Sequence, residues 1–140
     1  MSLAESERED IVKFNLDKAN EILAEIPVHI ENKFYRTAAN RLYYACFYAV
    51  TALLINDKHE AHTHKGVKRL LGLHYVNENK LDELFAKMYN RLFDLRQKGD
   101  YGDWITIKEE KIKPLVEPAK KFIAKIECLI NKKEKDEKIV

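Results

Sequence analysis

Along three separate stretches of the chain, apolar residues return in alternating steps of four and three. They are Val12, Leu16, Ala19, Leu23 and Ile26; then Leu81, Phe85, Met88, Leu92 and Leu95; then Leu115, Ala119, Phe122, Ile126 and Leu129. A repeat of about 3.5 residues is the seam of helices that cross at a shallow angle, so the pattern predicts an antiparallel bundle rather than steeply crossed helices. Pro27 predicts the end of the first helix, because proline lacks the amide that a helix interior requires.

A fourth long helix is predicted over roughly Ile30 to Ile55, and its later half is apolar on every side. Such a helix must be covered all round, either at the centre of the bundle or partly by another subunit. The apolar run Leu42 to Ile55, interrupted only by Thr51, is short of the roughly 20 residues a bilayer needs, so no membrane span is expected. Within it Tyr43, Tyr44, Phe47 and Tyr48 alternate with Ala45, Cys46, Ala49 and Ala52, which lets backbones approach while rings fill the gaps. Their hydroxyls need partners at an edge or in a polar pocket, and a homodimer interface along this helix is one expectation.

The stretch from Asn56 to Asn79 holds a short helix with Val67, Leu70, Leu71 and Tyr75 on its apolar side and Thr63 as its cap. Thr106-Ile107-Lys108-Glu109 has the form of a capping box ahead of the last helix. Pro114 and Pro118 follow closely, so that helix is expected to start kinked or to be delayed to Pro114. The reading is all-α: an antiparallel up-and-down bundle of four long helices plus one short helix. It forms a single domain over residues 1–131, followed by a charged, frayed tail over 132–140.

Composition agrees with that reading and narrows the function classes. The chain has 140 residues, 46% hydrophobic and 34% charged, with only 4 Gly and 3 Pro, which argues against a turn-rich β fold. A formal charge of +2 is too mild to announce nucleic acid through the field of the whole molecule, although a local patch could still do so. Cys46 and Cys128 lie in apolar helical patterns without metal-type spacing and are expected to be buried, reduced thiols. Met1 to Asp10 is polar and acidic, without the apolar core of a signal peptide, and a cytoplasmic location is expected.

Packing leaves one stretch unexplained: Leu95 to Trp104, where an amphipathic helix runs into a segment with an arginine, two carboxylates and two aromatics. Arg96 continues a second stripe, Ala86, Tyr89 and Phe93, on the flank of the apolar seam, and its planar fork suits a carboxylate or phosphate oxygens. The plainer reading pairs Arg96 with Asp100 or Asp103 in the last turn of a helix that Gly99 and Gly102 bring to a stop. A second cluster, His59, His62 and His64 with Lys65, Lys68, Arg69 and His74, matches no standard zinc spacing, and no metal is expected there. It reads as a solvated basic loop or a local phosphate-attracting patch. Lys65 and Gly66, near a helix start, could help hold an anion. No serine sits in a nucleophile elbow, and Asp100 with Asp103 is at most a weak acid–base pair.

The blocks Asn40 to Val50, His64 to Val67 and Leu95 to Tyr101, in that order and spacing, resemble the HEPN family (higher eukaryotes and prokaryotes nucleotide-binding). The likeness spans about Ile11 to Ile130. It implies a helical bundle, usually a homodimer, with a polar cleft where protomers meet. Many members are metal-independent endoribonucleases, and many pair with a minimal nucleotidyltransferase as a toxin–antitoxin couple. Their signature is an arginine, four to six residues of which the first is commonly polar, and a histidine. Arg96 matches the arginine and Gln97 the polar follower, but the histidine positions hold Tyr101, Gly102 or Asp103. A phenol with a pKa near 10 is a poor base at neutral pH, which predicts severely weakened cleavage.

The resemblance thus implies a binder of RNA or nucleotide at a dimer cleft, with Arg96, Gln97, Lys98, His64 and Lys65 as contact residues and no cofactor. Arg96, Asp100 and Tyr101 are the catalytic candidates, with His64 brought in by folding as a further proton carrier. Some related toxins carry a tyrosine, two residues beyond the motif histidine, that the partner transferase modifies with AMP. That position is Asp103 here, and Tyr101 is the phenol in the same segment. The competing class is a non-enzymatic interaction module in which the Arg96 segment is a structural dimer interface.

Overall fold

The computed structural model describes residues 3–101 and 106–139, with side chains described except at 99–101 and 133–139. Five α-helices follow in order: α1 (Glu5–Glu31), α2 (Tyr35–Asn56), α3 (His64–Leu71), α4 (Glu83–Tyr101) and α5 (Glu109–Ile139). No strand occurs among the described residues. Side-chain ties fix the directions. Arg8 at the start of α1 donates to the carbonyl of Ile55 at the end of α2, 2.8 Å, and Glu25 late in α1 accepts from Arg41 early in α2. Arg96 late in α4 reaches Tyr44 early in α2, and Tyr35 at the start of α2 bonds Glu109 at the start of α5. The four long helices therefore run up, down, up, down.

The α2 helix is central, packed against α1, α3, α4 and α5. Ala38, Ala39, Leu42, Ala45, Cys46, Ala49 and Val50 are fully buried along it, whereas Tyr44, Phe47, Tyr48 and Ile55 are only partly covered. By length and mean hydropathy, 1.2, α2 would pass as a membrane span, but 61% of that window is buried inside the bundle, as befits a core helix. Of the seams that the spacing predicts, Met88, Leu92 and Leu95 in α4, Leu81 just ahead of it, and Ala119, Phe122 and Ile126 in α5 are buried, while Phe85, Leu115 and Leu129 pack partly buried at their edge. In α1 the core stripe is rotated by one position, to Val12, Asn15, Ala19, Ile22 and Ile26, while Leu16 and Leu23 pack at its flank.

Several boundaries differ from the sequence reading. Pro27 does not end α1, which continues to Glu31, and α2 starts at Tyr35 rather than Ile30. The break falls at Asn32–Phe34, where Lys33 takes a positive φ of 61°, and burial of Ile26 on one side of Pro27 and packing of Ile30 on the other hold the helix through the proline. Likewise α5 starts at Glu109 and runs through Pro114 and Pro118, anchored by fully buried Ile112 and Ala119. A capping box on Thr106 would start it earlier than is seen. Gly99 does not stop α4, which reaches Tyr101; a helical glycine costs only about 1 kcal/mol. Cys128 is exposed, not buried, because the inward face of α5 is carried by Phe122, Ile123, Ile126 and Ile130. The short helix behaves as expected: Thr63 caps it, its hydroxyl accepting from the Gly66 amide at 2.9 Å. A wider π turn over Gly72–Val76 then carries Tyr75 inward, where its hydroxyl donates to Asp57 at 2.7 Å.

Candidate functional site

Three helices bring their polar groups to one place. Tyr43 and Tyr44 are adjacent on α2 with Phe47 one turn on, His64 opens α3, and Phe93 and Arg96 are one turn apart on α4. The Tyr43 hydroxyl lies 2.7 Å from His64 Nδ1. Arg96 donates through Nη1 to the Tyr44 hydroxyl at 3.2 Å, and its guanidinium carbon lies 5.0 Å from the Tyr43 ring centroid and 5.7 Å from that of Tyr44. His64 stacks on Phe47 at 4.6 Å and touches both tyrosine rings at 5.8 and 5.9 Å. The arginine and the imidazole thus share the same two tyrosines.

Local forces explain why the groups stay there. Ring quadrupoles attract the guanidinium, which is easily desolvated, so it can lie against a buried aromatic pair. Tyr43 is itself fully buried and needs a partner for its hydroxyl, which His64 provides. Beyond it, Tyr89 and Phe93 pack on the Tyr43 ring at 5.7 and 6.0 Å, and the Lys68 ammonium sits 4.5 Å over Phe93. Lys68 therefore adds a second cation beside the arginine.

Burial, and then the positive charge of Arg96, lower the His64 pKa below its ordinary value near 6.5, so the ring is neutral at pH 7. Burial raises the Tyr43 phenol against opposing pulls from Tyr89 and Arg96, so it stays protonated. A neutral imidazole with Nδ1 engaged by a phenol leaves Nε2 as the nitrogen that can exchange a proton. Where Nδ1–H donates to the Tyr43 oxygen, Nε2 is the basic nitrogen. Cys46 is excluded as a nucleophile, since complete burial pushes its thiol far up.

Beside His64 opens a cleft of ≈ 360 Å³, between α2 and the segment that leads into α3. Phe47, Thr51, Leu54 and Ile55 form one wall, and His59 to His64 with Val67 form the other. His64 belongs both to this cleft and to the arginine cluster.

Of the residues singled out from sequence, Arg96 and His64 are brought together, and both are partly buried. Gln97 is partly buried, whereas Lys98 and Lys65 are exposed beside them in their helices. The Gly66 amide is engaged by the Thr63 cap, so it is not available to an anion in this arrangement. Asp100 and Tyr101 lie in the last turn of α4, but their side chains are outside the described residues, as is Asp103; the expected pairing of Arg96 with either carboxylate lies there too. His59, which also lines the cleft, stacks face to face on His74 at 4.0 Å. No group of three or more His, Cys, Asp or Glu among the described residues is placed to hold a metal.

Sequence reasoning placed Tyr43, Tyr44 and Phe47 in the core and did not connect them with Arg96. The available signal was chemical: phenols inside an apolar helix require polar partners, and an arginine on the flank of a buried stripe is one.

The family model described as "HEPN domain" matches residues 12–129 of this chain. A "UPF0332 protein" of Thermotoga maritima is 34% identical over 125 residues, covering 89% of this chain and 95% of that protein. Two proteins of Methanocaldococcus jannaschii bear the name "Putative toxin". One is 34% identical over 112 residues, covering 79% of this chain and 82% of its own length; the other is 30% identical over 110 residues, covering 79% and 75%.

Proposed function

The chain belongs to the HEPN-domain family, and from that membership we propose that it binds RNA, with a phosphodiester held at Arg96 and His64 of each subunit of a homodimer. The observation that carries the reading is the convergence of Arg96 and His64 on the Tyr43–Tyr44 pair. A guanidinium gives a phosphate the planar donors that fit its oxygens. Lys68, Lys65 and Lys98 add positive charge around it, which makes binding salt-sensitive.

The same arrangement supplies what the motif lacks. With no histidine at the motif spacing after Arg96, the neutral imidazole of His64 takes that place from α3. In the proposed reaction His64 Nε2 accepts the proton of a ribose 2′-hydroxyl as its oxygen attacks the adjacent phosphorus. The P–O5′ bond breaks, leaving a 2′,3′-cyclic phosphate, and the departing oxygen takes a proton from water. Arg96 offsets charge on the non-bridging oxygens. The name carried by two relatives supports a toxin-type role; a minimal nucleotidyltransferase as the partner, with Tyr101 as the phenol it would modify, is what the family resemblance implies.

Fluorescence anisotropy with labelled single-stranded RNA at two salt concentrations, followed by a cleavage gel, tests the reading. Wild-type binding weakens with salt, Arg96→Ala lowers affinity, and His64→Ala loses cleavage while lowering affinity less than Arg96→Ala does. Binding and cleavage by Arg96→Ala equal to the parent would remove this site from the function. Light scattering reads the dimer, and mass spectrometry after incubation with a transferase and ATP reads Tyr101.

A further inference from the structure

We infer that the cleft beside His64 is a nucleobase subsite: it receives the base of the ribonucleotide whose phosphate meets Arg96. The inference rests on the phosphate reading above and adds to it the part of the ligand that gives selectivity.

Three features point to a base. The cleft measures ≈ 360 Å³, within the roughly 300–1,000 Å³ of small-molecule sites, and its lining includes the apolar side chains of Leu54, Ile55 and Val67. Two of its lining residues carry rings, Phe47 and His64, which stack on each other at 4.6 Å, so the cleft borders an aromatic pair beside which a planar heterocycle can lie. Finally, Thr51 lines the cleft, and its hydroxyl oxygen, packed behind the cleft surface, has no hydrogen-bond partner among the described residues. A helical threonine commonly bonds the carbonyl four residues back, and Thr51 does not. A shielded hydroxyl at an apolar wall is costly unless a ligand bonds to it. A base carries donors and acceptors on its edge that this hydroxyl would meet once the Thr51 side chain turns towards the cleft.

His64 connects the two halves. Its Nδ1 faces Tyr43 and the arginine cluster, while the residue also lines the cleft, so one ligand can span both. The polar rim, Glu60 and His62, lies on the solvent side, where a ribose would pass.

The test compares the four nucleoside 5′-monophosphates with ribose 5-phosphate, by NMR titration of the full-length protein. In the wild type at least one monophosphate binds more tightly than ribose 5-phosphate by roughly 5- to 150-fold, the contribution of one stacked base. Thr51→Val, which keeps the shape and removes the hydroxyl, lowers that monophosphate's affinity by roughly 2- to 12-fold and leaves ribose 5-phosphate unchanged. Ala61→Leu, on the loop outside any helix, fills the cleft and brings the monophosphate down to the ribose 5-phosphate level. Equal binding of all five ligands by the wild type overturns the subsite but leaves the Arg96–His64 phosphate reading intact. Unchanged preference in Ala61→Leu overturns it as well, and no binding of any ligand overturns both.

Discussion

Tyr43→Phe isolates the hydroxyl that joins α2 to His64. The ring contacts with Tyr44, Phe47, Tyr89, Phe93 and the Arg96 guanidinium all survive the change, because the phenyl ring keeps its position. What is lost is the 2.7 Å hydrogen bond to His64, between neutral groups, and the hydroxyl's weaker interaction with Tyr89. The net value of such a bond is about 0.5–1.5 kcal/mol, and the orphaned Nδ1 lies on a half-buried ring that solvent can reach, so the penalty stays near the middle of that range. A loss of about 1 kcal/mol corresponds to a Tm drop of about 3–4 °C for a domain of this length and a urea midpoint lower by about 0.5 M. Urea unfolding followed by far-UV circular dichroism reads it, with the m-value unchanged. The same variant has a second signature: without Tyr43 the His64 ring loses its fixed tautomer, seen in a long-range ¹H–¹⁵N spectrum. An unaltered midpoint together with an unaltered His64 spectrum would refute the claim that this hydroxyl orders the imidazole. A loss above about 3 kcal/mol, the size of a large-to-small core deletion, would show that the ring itself had moved.

Further outcomes follow from this site and from two contacts outside it. Arg96→Ala removes a positive neighbour, so the His64 pKa, followed by NMR, rises towards its ordinary value; because burial remains, it does not overshoot 6.5. The lowered folded-state pKa of His64 also means the unfolded chain binds the proton more readily. That stabilisation is fully present above pH about 6.5 and is lost as pH falls through the folded value. Glu25, which accepts two hydrogen bonds from Arg41 at 3.0 and 2.8 Å, titrates near about 2. Its contribution is therefore present above pH 4.5 and lost as pH falls towards 2, and Glu25→Gln flattens that limb of the acid unfolding curve; the pair is partly exposed, so the effect is modest. Thr63→Ala removes the cap on the Gly66 amide and costs about 1 kcal/mol in chemical denaturation, with the start of α3 losing hydrogen-exchange protection first.

Periodicity made the bundle legible because a seam of Leu81, Met88, Leu92 and Leu95 can be buried in only one way. In α1 two apolar stripes lie side by side, and spacing does not choose between them. The structure takes Asn15 and Ile22 inward, and Asn15 is tolerated there because its amide donates to the Ile11 carbonyl at 2.8 Å. Prolines misled for a related reason. Local propensity treats Pro27, Pro114 and Pro118 as breaks, yet flanking side chains buried in the core outweigh one missing amide each. The site was half legible. Arg96 stood out as a cation on the flank of a buried stripe, but its meeting with His64 runs through Tyr43 and Tyr44 on a third helix, and no spacing along the chain encodes a contact across three elements.

Because the site is built into the core helix, structural and functional roles overlap at Arg96, and the charge-conserving variant separates them. Arg96→Lys keeps a cation near the Tyr43 and Tyr44 rings but loses the planar fork, and with it the directed bond to the Tyr44 hydroxyl. An ammonium over a ring retains most of the electrostatic attraction, so stability should fall by no more than about 1 kcal/mol. Phosphate recognition depends instead on two parallel donors, which lysine lacks, so affinity for RNA should fall by more than stability does. If Arg96 serves only to tie α4 to α2, the opposite holds: RNA binding by Arg96→Lys would match the parent wherever the protein is folded. Measuring the unfolding midpoint and the RNA affinity on the same preparation therefore assigns Arg96 to the ligand or to the bundle.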